Sequence, residues 1–192
     1  MTIWLLARGA GLSATVLFTA ATCLGALSSG RGPIGSRVVG QYVHRVVASL
    51  GLAVLALHIW AILADSYAGV GWVGALVPFT SGYRPTWVAV GSLAAYSFVI
   101  AALTGATRRA FANSPHGAAV WRYLHGVAYA GCALSILHGF TTGTDSSVGW
   151  VRVLYVLCLV ALGSAVAVRL ARPHRTDLVR HAEPARELVT SR

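Results

Sequence analysis

Four of the seven histidines lie inside long apolar stretches, where a buried imidazole needs a bonding partner. They fall in two pairs: His44 and His58 in the stretch 41–65, and His125 and His138 in the stretch 121–140. The 14 residues that separate His44 from His58 cover roughly 21 Å of α-helix. The hydrocarbon core of a membrane is about 30 Å thick. Each stretch therefore predicts a spanning helix with one histidine towards each membrane surface.

The angular positions of the two pairs differ. On an ideal helix, the rotation from His44 to His58 is about 40° short of four full turns, so the two side chains share a face. His125 and His138 are 13 residues apart, and the rotation between them is about 140° short of four full turns. These two side chains therefore do not share a face of an ideal helix. Glycines in the same stretch, or the crossing of the helices, would have to absorb this difference. We find no internal repeat beyond these paired-histidine stretches.

Four intramembrane histidines suit several kinds of chemistry. A neutral imidazole has one donor and one acceptor, so the four could stabilise helix packing or pass protons, but no intramembrane carboxylate accompanies them. A zinc ion would need further ligands at each level. A haem iron needs only two axial nitrogens, one from each helix. The pattern favours two haems stacked across the membrane, one between His44 and His125 and one between His58 and His138; packing and proton or ion passage remain alternatives.

Composition indicates a single membrane domain. Of the 192 residues, 56% are hydrophobic and 10% are charged, and apolar runs of 18 or more recur. The net charge of +10 comes from 15 arginines and no lysine. Because these arginines cluster in loops and in the tail, membrane topology and anionic lipid headgroups explain them better than nucleic acid does. The three cysteines have neither metal-site nor disulfide spacing.

The predicted fold is an all-α membrane protein with a five-helix transmembrane bundle. The domain covers residues 1–170, and its helices span about 5–27, 41–65, 87–104, 121–140 and 150–170. The apolar segment 70–79 is too short to span and is predicted to be interfacial or re-entrant. Residues 171–192 are predicted to form a basic cytoplasmic tail.

The arginine distribution predicts the orientation. If the loop after the first helix is cytoplasmic, 12 of the 15 arginines lie inside and only Arg8, Arg84 and Arg152 lie outside. This predicts a multi-pass protein of the cell membrane with its N-terminus outside and its C-terminus in the cytoplasm. His44 and His125 would then share the inner leaflet, and the other two histidines the outer one.

The histidine constellation resembles the ferric reductase-like transmembrane domain. That family includes the haem domains of ferric reductases and NADPH oxidases and the haem subunit of the bacterial periplasmic methionine sulfoxide reductase system. It carries two histidine pairs at these spacings on two parallel helices, and VHRVVASLGLAVLALH and LHGFTTGTD also resemble its members. The resemblance covers roughly residues 5–170. It implies two b-type haems between the second and fourth helices, although family members commonly have one helix more than the five predicted here.

The resemblance also implies a function and partners. The chain would transfer electrons from a cytoplasmic flavoprotein or a membrane quinol to an outer acceptor, either ferric iron or a partner reductase. Some family members carry a C-terminal flavin and nicotinamide domain, which the predicted tail is too short to form, so we expect no flavin or NAD(P) site here and an oxidoreductase that needs a separate donor. Haem propionates would need cationic partners. Arg45 and Arg122 lie beside the inner histidines in the sequence and could bind them. Arg8 and Arg152 on the outer side could bind a propionate, attract an anionic acceptor or contact lipid headgroups.

The topology leads to a labelling prediction. In a variant without native cysteines, Asp145→Cys should react with a membrane-impermeant maleimide added from outside, and Arg109→Cys should not, because the arginine bias puts them on opposite sides. The measurement is the labelled fraction in intact cells, with permeabilised cells as the control for reactivity. Labelling of position 109 alone would reverse the orientation.

Overall fold

The computed structural model describes residues 2–28, 34–65 and 69–171, and this part of the chain is all-helical without strands. The helices are α1 (Thr2–Ser28), α2 (Ile34–Ala64), α3 (Trp72–Leu76), α4 (Pro85–Ala106), α5 (Arg108–Phe111), α6 (Pro115–Thr142) and α7 (Gly149–Ala171). A 3₁₀ turn, Thr144–Ser147, connects α6 to α7. The predicted tail lies outside the described residues except for Ala171.

Four of these helices, α1, α2, α4 and α7, are long and apolar enough to cross a membrane. Their length and composition indicate a multi-pass membrane protein, as predicted. The remaining predicted span, α6, is helical over 28 residues but is not among the four. Its hydropathy is lowered by Arg122, His125 and His138, which all lie within it.

Two helix starts and one loop differ from the prediction. Helix α2 begins at Ile34, seven residues before the predicted start, so part of the predicted loop continues the helix. Helix α6 begins at Pro115, where the Ser114 side chain accepts a hydrogen bond from the Gly117 amide at 2.9 Å. A capping serine followed by proline is a strong helix start. The predicted helix starts were taken from apolar stretches alone, so the first turns of α2 and α6 and the short helix α5 were not predicted.

The long helices form two antiparallel hairpins. Helix α1 packs along α2, and α4 packs along α6; these are the most extensive helix contacts in the described structure. Helix α7 packs against α1 and α6. The start of α2 lies beside the start of α6, since His44 faces His125 and His58 faces His138. Helices α2 and α6 are therefore parallel, and the bundle has a His44 end and a His58 end.

An aromatic stack joins the hairpins at mid-height. The rings of Phe18 on α1 and Phe98 on α4 are parallel within 6°, with centroids 3.6 Å apart. A Cβ atom added at Gly51 or Gly131 would lie 3.2 or 3.1 Å from these rings, so glycine leaves room for the stack. Close packing of this kind contributes, together with interhelical hydrogen bonds, to the association of helices in lipid.

The segment around α3 covers the His58 end. The Ser92 hydroxyl on α4 donates to the Ala75 carbonyl at 2.8 Å, which fixes α3 against α4. Trp72, Val73 and Phe79 remain 68%, 64% and 66% exposed. Trp72 and Val73 lie on α3, and Phe79 lies in the turn after it. That the segment 70–79 is interfacial or re-entrant stays a prediction.

The aromatic stack leads to a stability prediction. Phe98→Ala should lower the free energy of unfolding by about 3 kcal/mol, because Phe98 is buried and its contacts with Phe18 are lost. Leu103→Ala on the same helix should cost about 0.5 kcal/mol or less, since Leu103 is 61% exposed. Unfolding of the purified protein by sodium dodecyl sulfate, followed by circular dichroism, measures both. Equal losses would contradict a stabilising role for the stack.

Candidate functional site

The four intramembrane histidines meet as two pairs between α2 and α6. The ring centroids of His44 and His125 are 6.2 Å apart and the ring planes lie at 72°. Those of His58 and His138 are 6.5 Å apart at 80°. The structure thus brings together the same pairs that the sequence analysis matched. It does so although His125 and His138 would not share a face of an ideal helix.

Each histidine is bound to a backbone carbonyl of the neighbouring helix through its Nδ1 atom. The Nδ1–oxygen distances are 2.7 Å for His44 to Ala21, 2.7 Å for His58 to Ala7, 2.9 Å for His125 to Ala101 and 2.7 Å for His138 to Trp87. A carbonyl oxygen only accepts, so Nδ1 carries the proton and a neutral ring keeps a lone pair on Nε2. Histidines that bind metals are commonly oriented in this way.

The spacing within each pair can be compared with two kinds of contact. An imidazole centre lies roughly 1.1 Å from its ring nitrogens, given ring bonds of ordinary length. A direct N–H···N hydrogen bond of about 2.9 Å would bring two centres to roughly 5 Å. Two metal–nitrogen bonds of about 2 Å would bring them to roughly 6 Å. The observed 6.2 and 6.5 Å fit one metal ion between each pair.

The number of ligands restricts the kind of metal site. Among the described residues no group of three or more His, Cys, Asp or Glu side chains is placed to bind a metal ion. Two nitrogens suffice for a haem iron, because the macrocycle supplies the other four ligands. The donor set therefore fits a haem held between two histidines better than it fits a bare zinc ion.

A cavity opens beside the His58–His138 pair. Its volume is about 360 Å³, which is within the range of small-molecule and cofactor sites. Its lining combines the two histidines with apolar and aromatic side chains, and one end reaches Arg8 and Asp145. This end carries the ionic groups, and the interior is apolar.

Only one of the predicted propionate-binding arginines lines this cavity. Arg8 forms an ion pair with Asp145 and lies over the Trp4 ring. Arg152 is exposed, lies outside the cavity and donates to the Ser146 carbonyl at 3.1 Å. Sequence reasoning used Asp145 only as a marker of topology, since an ion pair across 137 positions has no local signal.

The arginines at the other end are exposed. Arg45 directly follows His44 and Arg122 lies three residues before His125, and both are exposed at the His44 end of the bundle. Neither lines the cavity beside His58 and His138. Their role in binding a propionate stays a prediction.

A tryptophan and an arginine extend the His44–His125 pair towards the surface. The Trp121 ring stacks on the His125 ring, with centroids 5.0 Å apart and planes at 12°. Its Nε1–H donates to the Thr104 carbonyl at 2.9 Å, and the Arg108 guanidinium lies 4.9 Å from its centroid. The sequence analysis did not identify Trp121 as part of the site; its position four residues before His125 is the signal that places both on one face.

No family model, no curated protein and no solved structure matches this chain. The function must therefore be inferred from the geometry of the site.

Proposed function

We propose that this chain is a transmembrane electron-transfer protein that binds two b-type haems. One lies between His44 and His125 and the other between His58 and His138. The observation that carries the proposal is the pairing of histidine rings across the two hairpins, with centroids 6.2 and 6.5 Å apart and each Nδ1 bound to a carbonyl, which leaves Nε2 as the nitrogen with a free lone pair. The sequence contains no Cys-x-x-Cys-His attachment motif, so the haems are b-type. The resemblance to the ferric reductase-like transmembrane domain supports the same assignment.

In this proposal α6 crosses the membrane as the fifth span of a five-helix bundle. Its polar residues are tolerated because His125 and His138 face α4 and α2 and not the lipid. When bound, each haem supplies a one-electron redox centre. The two histidines of each pair would hold the haem iron together, and a haem held by two protein nitrogens would supply electron transfer and not oxygen binding.

The charges of the bundle support a direction for electron transfer. Among the described residues, the His44 end carries six exposed arginines: Arg37, Arg45, Arg108, Arg109, Arg122 and Arg169. The described carboxylates, Asp65 and Asp145, belong to the His58 end. By the positive-inside rule the His44 end is cytoplasmic. This basic surface would attract the acidic face of a flavoprotein donor, and the Arg108–Trp121 stack connects that surface to His125.

At the His58 end, Arg8 is the cation that lines the described cavity. Arg8 lies within the cavity and already binds the carboxylate of Asp145. A haem propionate would compete with Asp145 for the same guanidinium. Electrons would leave from this end to ferric iron or to a partner reductase outside, and a membrane quinol is the other possible donor.

The alternative is a non-redox membrane protein in which the histidines stabilise packing or pass protons or ions. The four bonds from Nδ1 to carbonyls favour it, because they join each hairpin without any cofactor. It leaves the four Nε2 atoms without a role. A dithionite-reduced-minus-oxidised spectrum separates the two proposals, since a bis-histidine haem has sharp visible bands and a packing protein has none.

The pairing predicts the stoichiometry. The wild type should bind two haems per chain; His58→Ala or His138→Ala should remove the outer haem, and His44→Ala or His125→Ala the inner one. Pyridine-haemochrome quantification gives the number, and a redox titration identifies the haem that remains. The exposed His116→Ala serves as the control and should keep both. One haem per wild-type chain would contradict the two-site arrangement.

The basic surface predicts the behaviour of the donor. In liposomes, flavoprotein-dependent haem reduction should slow by about tenfold between low and high salt, because screening weakens long-range charge attraction. Quinol-dependent reduction should change far less. The double variant Arg108→Gln/Arg109→Gln should mimic high salt, and Arg84→Gln at the other end is the matched control.

NADH or NADPH alone should not reduce the haems, because the described helices provide no sheet on which a nucleotide-binding fold is built. Rapid reduction by NADH in a flavin-free preparation would refute the need for a separate donor.

A further inference from the structure

Each of the four histidines lies against a glycine of the neighbouring helix. A Cβ atom added to the glycine would come closest to the imidazole ring at 2.9 Å for Gly11 and His58, 3.1 Å for Gly25 and His44, 2.6 Å for Gly91 and His138, and 3.2 Å for Gly105 and His125. These separations are shorter than ordinary van der Waals contact. At these four positions the ring occupies the space that a side chain would need.

The glycines are also in register with the carbonyls that bind the histidines. In every case the accepting carbonyl belongs to the residue four positions earlier. The pairs are Ala7 with Gly11, Ala21 with Gly25, Trp87 with Gly91, and Ala101 with Gly105. In an α-helix the carbonyl of residue i points along the axis towards residue i+4, whose amide it accepts. A ring must therefore pass over residue i+4 to reach that oxygen.

The same pattern occurs on both α1 and α4. Gly11 and Gly25 are 14 residues apart, and so are Gly91 and Gly105. Phe18 and Phe98, which stack on each other, lie midway between the two glycines of their own helices. The repeat that sequence inspection missed is thus Gly-x6-Phe-x6-Gly. It holds the two histidine levels apart by the same helical distance on both hairpins.

We infer that Gly11, Gly25, Gly91 and Gly105 are positioning residues for the four histidines. Each glycine and the carbonyl one turn before it form a seat that admits the ring edge-on to the helix backbone. The seat fixes the proton on Nδ1 and aims the free nitrogen away from its helix towards the opposite hairpin. The consequence for haem binding rests on the proposed function; the effect on the tautomer does not.

The separations predict a graded response. At Gly11 and Gly91 a Cβ would come within 3.0 Å of the ring, so alanine must displace His58 or His138. At Gly25 and Gly105 the gap of 3.1 or 3.2 Å admits alanine with a small shift, so a larger side chain is needed. The variants are therefore Gly11→Ala, Gly91→Ala, Gly25→Val and Gly105→Val.

Matched controls are available at glycines that do not contact a histidine ring. Gly126 on α6 and Gly163 on α7 have open space where a Cβ would lie. Alanine favours a helix over glycine, so Gly126→Ala and Gly163→Ala should fold at least as well as the wild type. Gly163→Val is the control for the valine variants.

The first experiment measures haem content and potential in the purified full chain, with circular dichroism and size-exclusion chromatography to check folding. Gly11→Ala and Gly91→Ala should fall from two haems to one and lose the outer centre. Gly25→Val and Gly105→Val should lose the inner one. Two haems with unchanged potentials in Gly91→Ala would overturn the inference, as would equal losses in Gly91→Ala and Gly126→Ala.

The second experiment does not depend on haem. Nitrogen-15 NMR of histidine-labelled, haem-free protein should show four imidazoles fixed in the Nδ1–H tautomer in the wild type and three in Gly91→Ala. An unchanged set in Gly91→Ala would overturn the seat. A wild type that never binds haem would instead overturn the proposed function, so the two failures are distinguishable.

Discussion

The hydrogen bond from a histidine Nδ1 to a helix carbonyl is the interaction on which the described structure depends. It occurs four times, and each time it joins neighbouring helices within a hairpin. In lipid a polar ring has no water to bind, so this bond removes much of the cost of burying it. It also determines which nitrogen is free. Structural stability and the chemical capacity of the site therefore come from one contact.

The two hairpins contribute histidines in the same way, but they carry different aromatic and charged residues at their ends. Each supplies one histidine to each level, held over a glycine of its other helix. Only the α4–α6 hairpin adds a stacked tryptophan and an arginine at the His44 end. Only α1 supplies a cation, Arg8, to the cavity at the other end. The two levels are thus alike at the histidines and unlike in the charged and aromatic groups that surround them.

The sequence was informative where a property is local. Apolar length located the long helices, and the histidine spacing indicated two levels at two depths. Helix starts at Ile34 and Pro115 were missed because their first turns are polar, and capping by Ser114 is a different signal from hydropathy. The 13-residue spacing on α6 was left undecided, because helix crossing is a property of packing. The four glycines are present in the sequence, but glycine has several structural roles in membrane helices. Their role beside the histidines is recognisable only from the position of the neighbouring imidazole rings.

The division of each histidine pair between two hairpins has a consequence for biosynthesis. Helices α1 and α2 leave the ribosome first and can form their internal bonds at once, because both carbonyl seats and both rings belong to the same hairpin. Neither level is complete until α6 has been inserted. A newly made chain would therefore first exist as two preassembled halves, each with two half-sites. The step that brings Phe18 onto Phe98 also brings His44 to His125 and His58 to His138, so both histidine pairs form in the same docking event.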